Sequence, residues 1–160
     1  MKKITKGFFE YWLYPEQKKA LSTVVMGHLV IENLLVEAIK TQLKVPCEFN
    51  PYSLSYPEKV GLCISQRIIP TNKKSAYLKL NTLRNKFSHQ LNYELTFDEV
   101  FEYAKEMNLA GFCFSDDTIH KNKDSAKEMY DVELTIDEIL EHLSIELILF
   151  LHDNGVVIPQ

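Results

Sequence analysis

At 160 residues, with 46% hydrophobic and 25% charged side chains, the chain can bury a core of its own and has the composition of one folded domain, residues 1–160, rather than of a disordered or fibrous protein. Cys47, Cys63 and Cys113 are odd in number and form no CxxC pair, which argues against a disulfide framework or a zinc knuckle and for buried free thiols. The net charge of −4 argues weakly against nucleic acid as a partner; the longest apolar run, Ile145 to Leu151, is interrupted by Glu146, and MKKITKGFFEYW lacks the apolar stretch of a signal peptide, so no membrane association and a cytoplasmic location are expected.

Helical periodicity dominates the pattern. Residues 16–43 form the longest candidate helix, with apolar or small residues at 20, 21, 24, 25, 31, 35, 38, 39 and 43, Pro15 suited to its first turn and Pro46 beyond its end. CEFNPYSLSYP reads as a loop broken by Pro51 and Pro57, and 58–69 as a short helix stopped by Pro70. Residues 75–91 form the next helix. Thr96 with Glu99 is a capping box that opens a helix to about Leu109, with Gly111 as its stop. Residues 112–134 are polar and read as one long charged loop, in which FCF at 112–114 is either a short strand or a loop that packs its aromatics on the core. Thr135 with Glu138 then opens a last helix, to about Asp153, that is rich in Leu and Ile and expected at the centre. The fold class is therefore all-α, a bundle of about five helices.

Faces can be compared because a helix turns ~100° per residue. In 75–91, Ala76, Leu80, Leu83, Phe87 and Leu91 make the core stripe. Arg84 lies roughly 60° from its centre, while Asn85 and His89, one turn apart, lie roughly 160° away on the back. In 16–43 the reverse holds. His28 and Glu32 sit near the centre of the stripe of Leu21, Val25, Ile31, Leu35 and Ile39. A carboxylate aimed at a core needs a partner, and Arg84 is the expected one; the alternative is a helix rotated enough to bring Glu32 to water. His28 and Glu32 could ligate a metal, but no third ligand is spaced to join them, and they read better as a satisfied core pair. His120, among Lys121 and Lys123, reads as solvated.

Charge is segregated along the chain. Residues 59–93 carry seven Lys or Arg and no carboxylate, whereas 94–160 carry four Lys or Arg and sixteen Asp or Glu. Either the basic window offers a positive surface, with Lys73, Lys74, Lys79 and Lys86 as candidate RNA contacts, or the acidic third folds over it and neutralises it.

The stretch RNKFSH, Arg84 to His89, resembles the Arg-(four to six residues)-His signature of the HEPN superfamily, in which the residue after the arginine is commonly Asn, Asp or His; here it is Asn85. MGHLVIENLLVEAI, which holds Glu32, resembles the first helix of several bacterial HEPN-like families, and LRNKFSHQ resembles small HEPN-like proteins and the mannitol-operon-repressor-like group. The likeness spans about residues 17–110. It implies a HEPN-like helical bundle and metal-independent cleavage of single-stranded RNA, with no cofactor and no metal, at a site of Arg84, Asn85, His89 and Glu32 completed across a homodimer. His89 would act as general base or acid, Arg84 would hold the phosphate oxygens, and Asn85 would donate to phosphate or orient the imidazole. An antitoxin or regulatory protein is a further implied partner, in defence or stress. One departure is that antitoxin-paired HEPN toxins often carry a tyrosine two residues after the histidine. Leu91 holds that position, and the nearest tyrosine is Tyr93. The alternative function is a HEPN-like module without catalysis, used for interaction or transcriptional regulation, so the expected enzyme activity stays open.

Overall fold

In a computed structural model, residues 17–44, 50–90 and 93–156 are described; Pro15, Pro46, Cys47, Leu91 and the N-terminal segment lie outside them. These residues form seven α-helices and two 3-10 turns, with no strand among them: α1 Gln17–Leu43, α2 Tyr56–Ser65, α3 Lys74–His89, α4 Phe97–Leu109, α5 Thr118–Lys121, α6 Lys123–Met129 and α7 Val132–Asp153, with the turns at Pro51–Ser53 and Thr71–Lys73. The architecture is an all-α bundle. Five of the helices correspond to those expected, and α5 and α6 are additional.

α1 and α7 make the most extensive helix pair and carry much of the core. Val24, Ile31, Leu35 and Ile39 of α1 are fully buried, as are Ile136, Ile139, Leu143 and Leu147 of α7. The helices approach closely at Gly27, where a Cβ would stand 2.5 Å from Leu140 Cδ1. By length and mean hydropathy (1.4), Lys19–Leu43 is apolar enough to cross a membrane, contrary to the expectation that no segment was. Of its 18-residue apolar window 39% is buried: one face packs into the bundle, while Met26, Leu29 and Val30 of the same helix are exposed.

α2 runs in the same direction as α1: Lys59 meets Glu32, Cys63 Sγ lies 3.9 Å from the Leu35 carbonyl, and Gln42 reaches the Gln66 carbonyl. The start of α3 is tied to α7: Lys73, in the turn before it, pairs with Glu146, and the Tyr77 hydroxyl donates to the Leu143 carbonyl at 2.9 Å. Ala76, Leu80, Leu83 and Phe87 form its buried stripe, as their spacing predicts. α4 closes on α3 through Tyr103, whose hydroxyl donates to the Ala76 carbonyl at 2.5 Å. The Thr96–Glu99 capping box forms with both arms.

Five expectations need correction. α2 stops at Ser65 rather than Ile69, because Arg67 takes a left-handed φ of 59°; the amides of Ile68 and Ile69 then both donate to the Cys63 carbonyl, and their side chains turn into the core. The segment 112–134 is not one irregular loop. Buried Phe112, Phe114 and Ile119 anchor it, Asn122 caps α6 by accepting from the Ser125 amide at 3.0 Å, and Asp116 accepts from the Thr118 amide and the Tyr130 hydroxyl at 2.8 Å each. His120 is accordingly buried beside Phe114, not solvated. α7 begins a turn before Thr135, with Asp131 accepting from the Leu134 amide at 2.7 Å; Thr135 bonds back to the Asp131 carbonyl inside the helix. Finally, Cys63 is buried, and burial pushes its thiol up to about 12, but Cys113 is exposed.

Candidate functional site

α3 carries polar residues on both sides of its buried stripe: Lys79 and Lys86 meet carboxylates of α4, and Asn81 meets His28 of α1. Arg84 and Asn85 are half-buried and bonded to each other, Arg84 Nη1 donating to Asn85 Oδ1 at 3.2 Å. His89, the last residue of α3, is exposed. The RNKFSH stretch thus places its arginine at the core border and its histidine in solvent, because the apolar stripe fixes the rotation of the helix.

One turn before Asn85, Asn81 faces α1. Its Oδ1 accepts from His28 Nε2 at 3.1 Å. His28 is buried and stacked on Tyr56 of α2, with ring centroids 4.3 Å apart. Its Nδ1 lies 3.9 Å from Glu32 Oε2. Desolvation of the ring is the largest influence on His28 and lowers its pKa; the Arg84 and Lys59 charges push the same way, against the Asn81 bond and the Glu32 charge. The Tyr56 hydroxyl is buried without a protein partner.

Glu32 is half-buried, as its position on α1 predicts, but its partner is Lys59 rather than Arg84. Lys59 is only 3% exposed; its Nζ lies 2.7 Å from Glu32 Oε1 and 2.6 Å from the Leu54 carbonyl. The physical reason is proximity: α2 lies alongside α1 at Glu32, whereas the Arg84 guanidinium bonds to Asn85 on its own helix. The structure therefore gathers Glu32, Arg84 and Asn85 around His28 and Asn81, with His89 on the outer rim of α3.

The candidate RNA-contacting lysines are placed differently. Lys73 pairs with Glu146, Lys79 with Glu106 at 2.7 Å and Lys86 with Glu99 at 2.9 Å. Each also lies over an aromatic ring, of Phe112, Tyr103 and Tyr93 respectively. Lys74 is exposed. So the acidic last third of the chain does fold against the basic window. Between α3 and α4 it leaves a cleft of about 370 Å³ whose walls include Lys79, Lys86, Asp98, Glu99 and Glu102. Tyr93, the tyrosine nearest the motif, donates to Glu99 at 2.8 Å and packs edge-on against Phe87. Among the described residues no group of three His, Cys, Asp or Glu gathers as metal ligands.

Lys59 and Asn81 were not singled out from the sequence, although both left a signal. Lys59 occupies a position within the Tyr56, Val60, Cys63 stripe, where a lysine needs a buried partner. Asn81 precedes Asn85 and His89 at four-residue steps, a polar line beside an apolar one. No protein-family model, curated protein or solved structure matches the chain, so what the site does rests on these side chains.

Proposed function

We propose that the chain is a HEPN-like endoribonuclease that cleaves single-stranded RNA without a metal, using Arg84, Asn85 and His89. The observation that carries this reading is the hydrogen bond of Arg84 to Asn85 on α3, with His89 one turn beyond Asn85 and open to solvent. Arginine supplies a permanent charge and a planar fork for phosphate oxygens. An accessible imidazole can take the proton of the 2′-hydroxyl as that oxygen attacks phosphorus; the P–O5′ bond breaks, leaving a 2′,3′-cyclic phosphate and a 5′-hydroxyl. One such helix offers few groups for two proton transfers, so a second copy of the chain, facing it, completes the site. Glu32, bonded to Lys59, supports the site from behind and does not reach the substrate.

A second reading is favoured by the lysines. Because Lys73, Lys79 and Lys86 are paired with carboxylates, the positive surface is smaller than the sequence implies, and this suits an interaction or regulatory module. The test is incubation of purified protein with single-stranded RNA in EDTA. The nuclease reading expects cyclic-phosphate ends, intact DNA, and loss of cleavage in His89→Ala at an unchanged Tm. Equal RNA loss with wild type and His89→Ala leaves the module reading in its place.

A further inference from the structure

A buried histidine that contacts the motif helix is a stronger constraint than its place in the core suggests. His28 is 4% exposed, and each edge of its ring is committed. One face stacks on Tyr56, Nε2 donates to Asn81 Oδ1, and Nδ1 faces the Glu32 carboxylate. Asn81 stands one helical turn before Asn85, and three residues before Arg84. A hydrogen bond is directional, and for buried His28 its loss leaves a ring nitrogen unsatisfied, whereas apolar packing tolerates small rotations. The apolar stripe of α3 therefore sets which side faces the core; the Tyr77 and Tyr103 hydroxyls add directional bonds near the start of the helix, and the His28–Asn81 bond adds the one next to Arg84 and Asn85.

We propose that His28 is the positioning residue of this site: through Asn81 it fixes the rotation of α3 against α1, and with it the direction in which Arg84 and Asn85 project. The inference rests on the nuclease reading for its kinetic consequence but not for its structural one. The groups that face His28 are Glu32 of α1, Tyr56 and Lys59 of α2, and Asn81 and Arg84 of α3. Protonation of the ring places a positive charge between Lys59 and Arg84, offset by Glu32 alone, and turns Nδ1 from an acceptor into a donor toward that carboxylate. The structure thus couples the charge of a group inside the bundle to the geometry of a flank outside it.

The experiment compares His28→Ala with His28→Gln, whose amide can still donate to Asn81. With RNA as substrate, kcat falls about tenfold or more in His28→Ala while KM changes little, because binding groups remain but the reacting geometry is displaced. His28→Gln recovers most of the rate. The independent readout is the Asn85 side-chain amide pair in a proton–nitrogen NMR spectrum, which moves in His28→Ala, stays near its wild-type position in His28→Gln, and in wild type follows the His28 titration. If His28→Ala does not fold, the wild-type titration decides alone. An Asn85 resonance indifferent to both substitution and titration overturns the inference even where RNA is cleaved. A resonance that responds in a protein that cuts no RNA upholds it and sinks only the nuclease reading.

Discussion

Lys59 reaches from α2 to bond Glu32 of α1 at 2.7 Å, and it does so from a position only 3% exposed to solvent. A charge held there is stable only with its counter-charge and a further acceptor, which the Leu54 carbonyl supplies. Glu32→Ala should therefore cost about 2–4 kcal/mol in urea unfolding, because it leaves the buried Lys59 ammonium without its counter-charge while Glu32 itself is only half-buried. Lys59→Met in the Glu32→Ala background should return much of that loss. If the single variant unfolds at the wild-type urea midpoint, the pair is not a buried one.

Glu99 joins the cap of α4 to the motif helix. Its partial burial acts upward on the carboxyl, but bonds from Lys86, the Thr96 amide, Tyr93 and Thr96 Oγ1 prevail and bring it down to about 2. A carboxylate whose folded pKa is depressed stabilises the fold at pH values above its ordinary range. That contribution drains away as pH falls from about 4.5 toward 2, where the unfolded chain takes up the proton first. Glu99→Gln should lower stability at neutral pH by about 1–3 kcal/mol and flatten the acid limb of a plot of unfolding free energy against pH. An acid limb of unchanged slope in the variant would assign that loss to other carboxylates.

Lys74 differs from its neighbours in being exposed, while Lys73, Lys79 and Lys86 are held by carboxylates. A single-stranded RNA should feel Lys74 first. Lys74→Ala should weaken binding at low salt and reduce the slope of log affinity against log salt by about 1, with no change in Tm. Lys73→Ala should instead lower Tm, because the Glu146 carboxylate, whose other oxygen is already buried without a partner, loses its cation. Comparable losses of RNA affinity from both would show that the pairs open on binding.

The contact of Gly27 with Leu140 leaves no room for a long side chain. Gly27→Leu should cost about 1–3 kcal/mol by overpacking, even though leucine is the better helix former. Leu140→Ala in that background should recover part of the loss, and the double-mutant cycle should show a coupling of about 0.5–3 kcal/mol. Additive effects would place the two residues out of contact.

The helices were legible where one physical rule dominated. The stripe of Ala76, Leu80, Leu83 and Phe87 fixed the buried face of α3, and Thr96 with Glu99 fixed the start of α4, because spacing and capping act locally. Residues 115–131 were less legible, since their short helices rest on Asp116 and Asn122 bonding to nearby amides, and those residue types serve loops equally well. Of the site, the half-buried state of Glu32 and the outward aim of His89 could be read from angles on a helix. The partner of Glu32 could not, because Lys59 and Arg84 lie on different helices and only the packing of α2 beside α1 chooses between them.

Because the most extensive helix pair joins α1 to α7, the order of synthesis and the order of assembly are opposed. The segment made early must wait for the one made late, and until then the face of α1 that meets α7 stays open, although α2 and α3 can already close on its other side. On a translating ribosome the nascent bundle is thus an open trough, attractive to chaperones and proteases, and a premature stop anywhere before α7 yields a chain with helices but no finished interior.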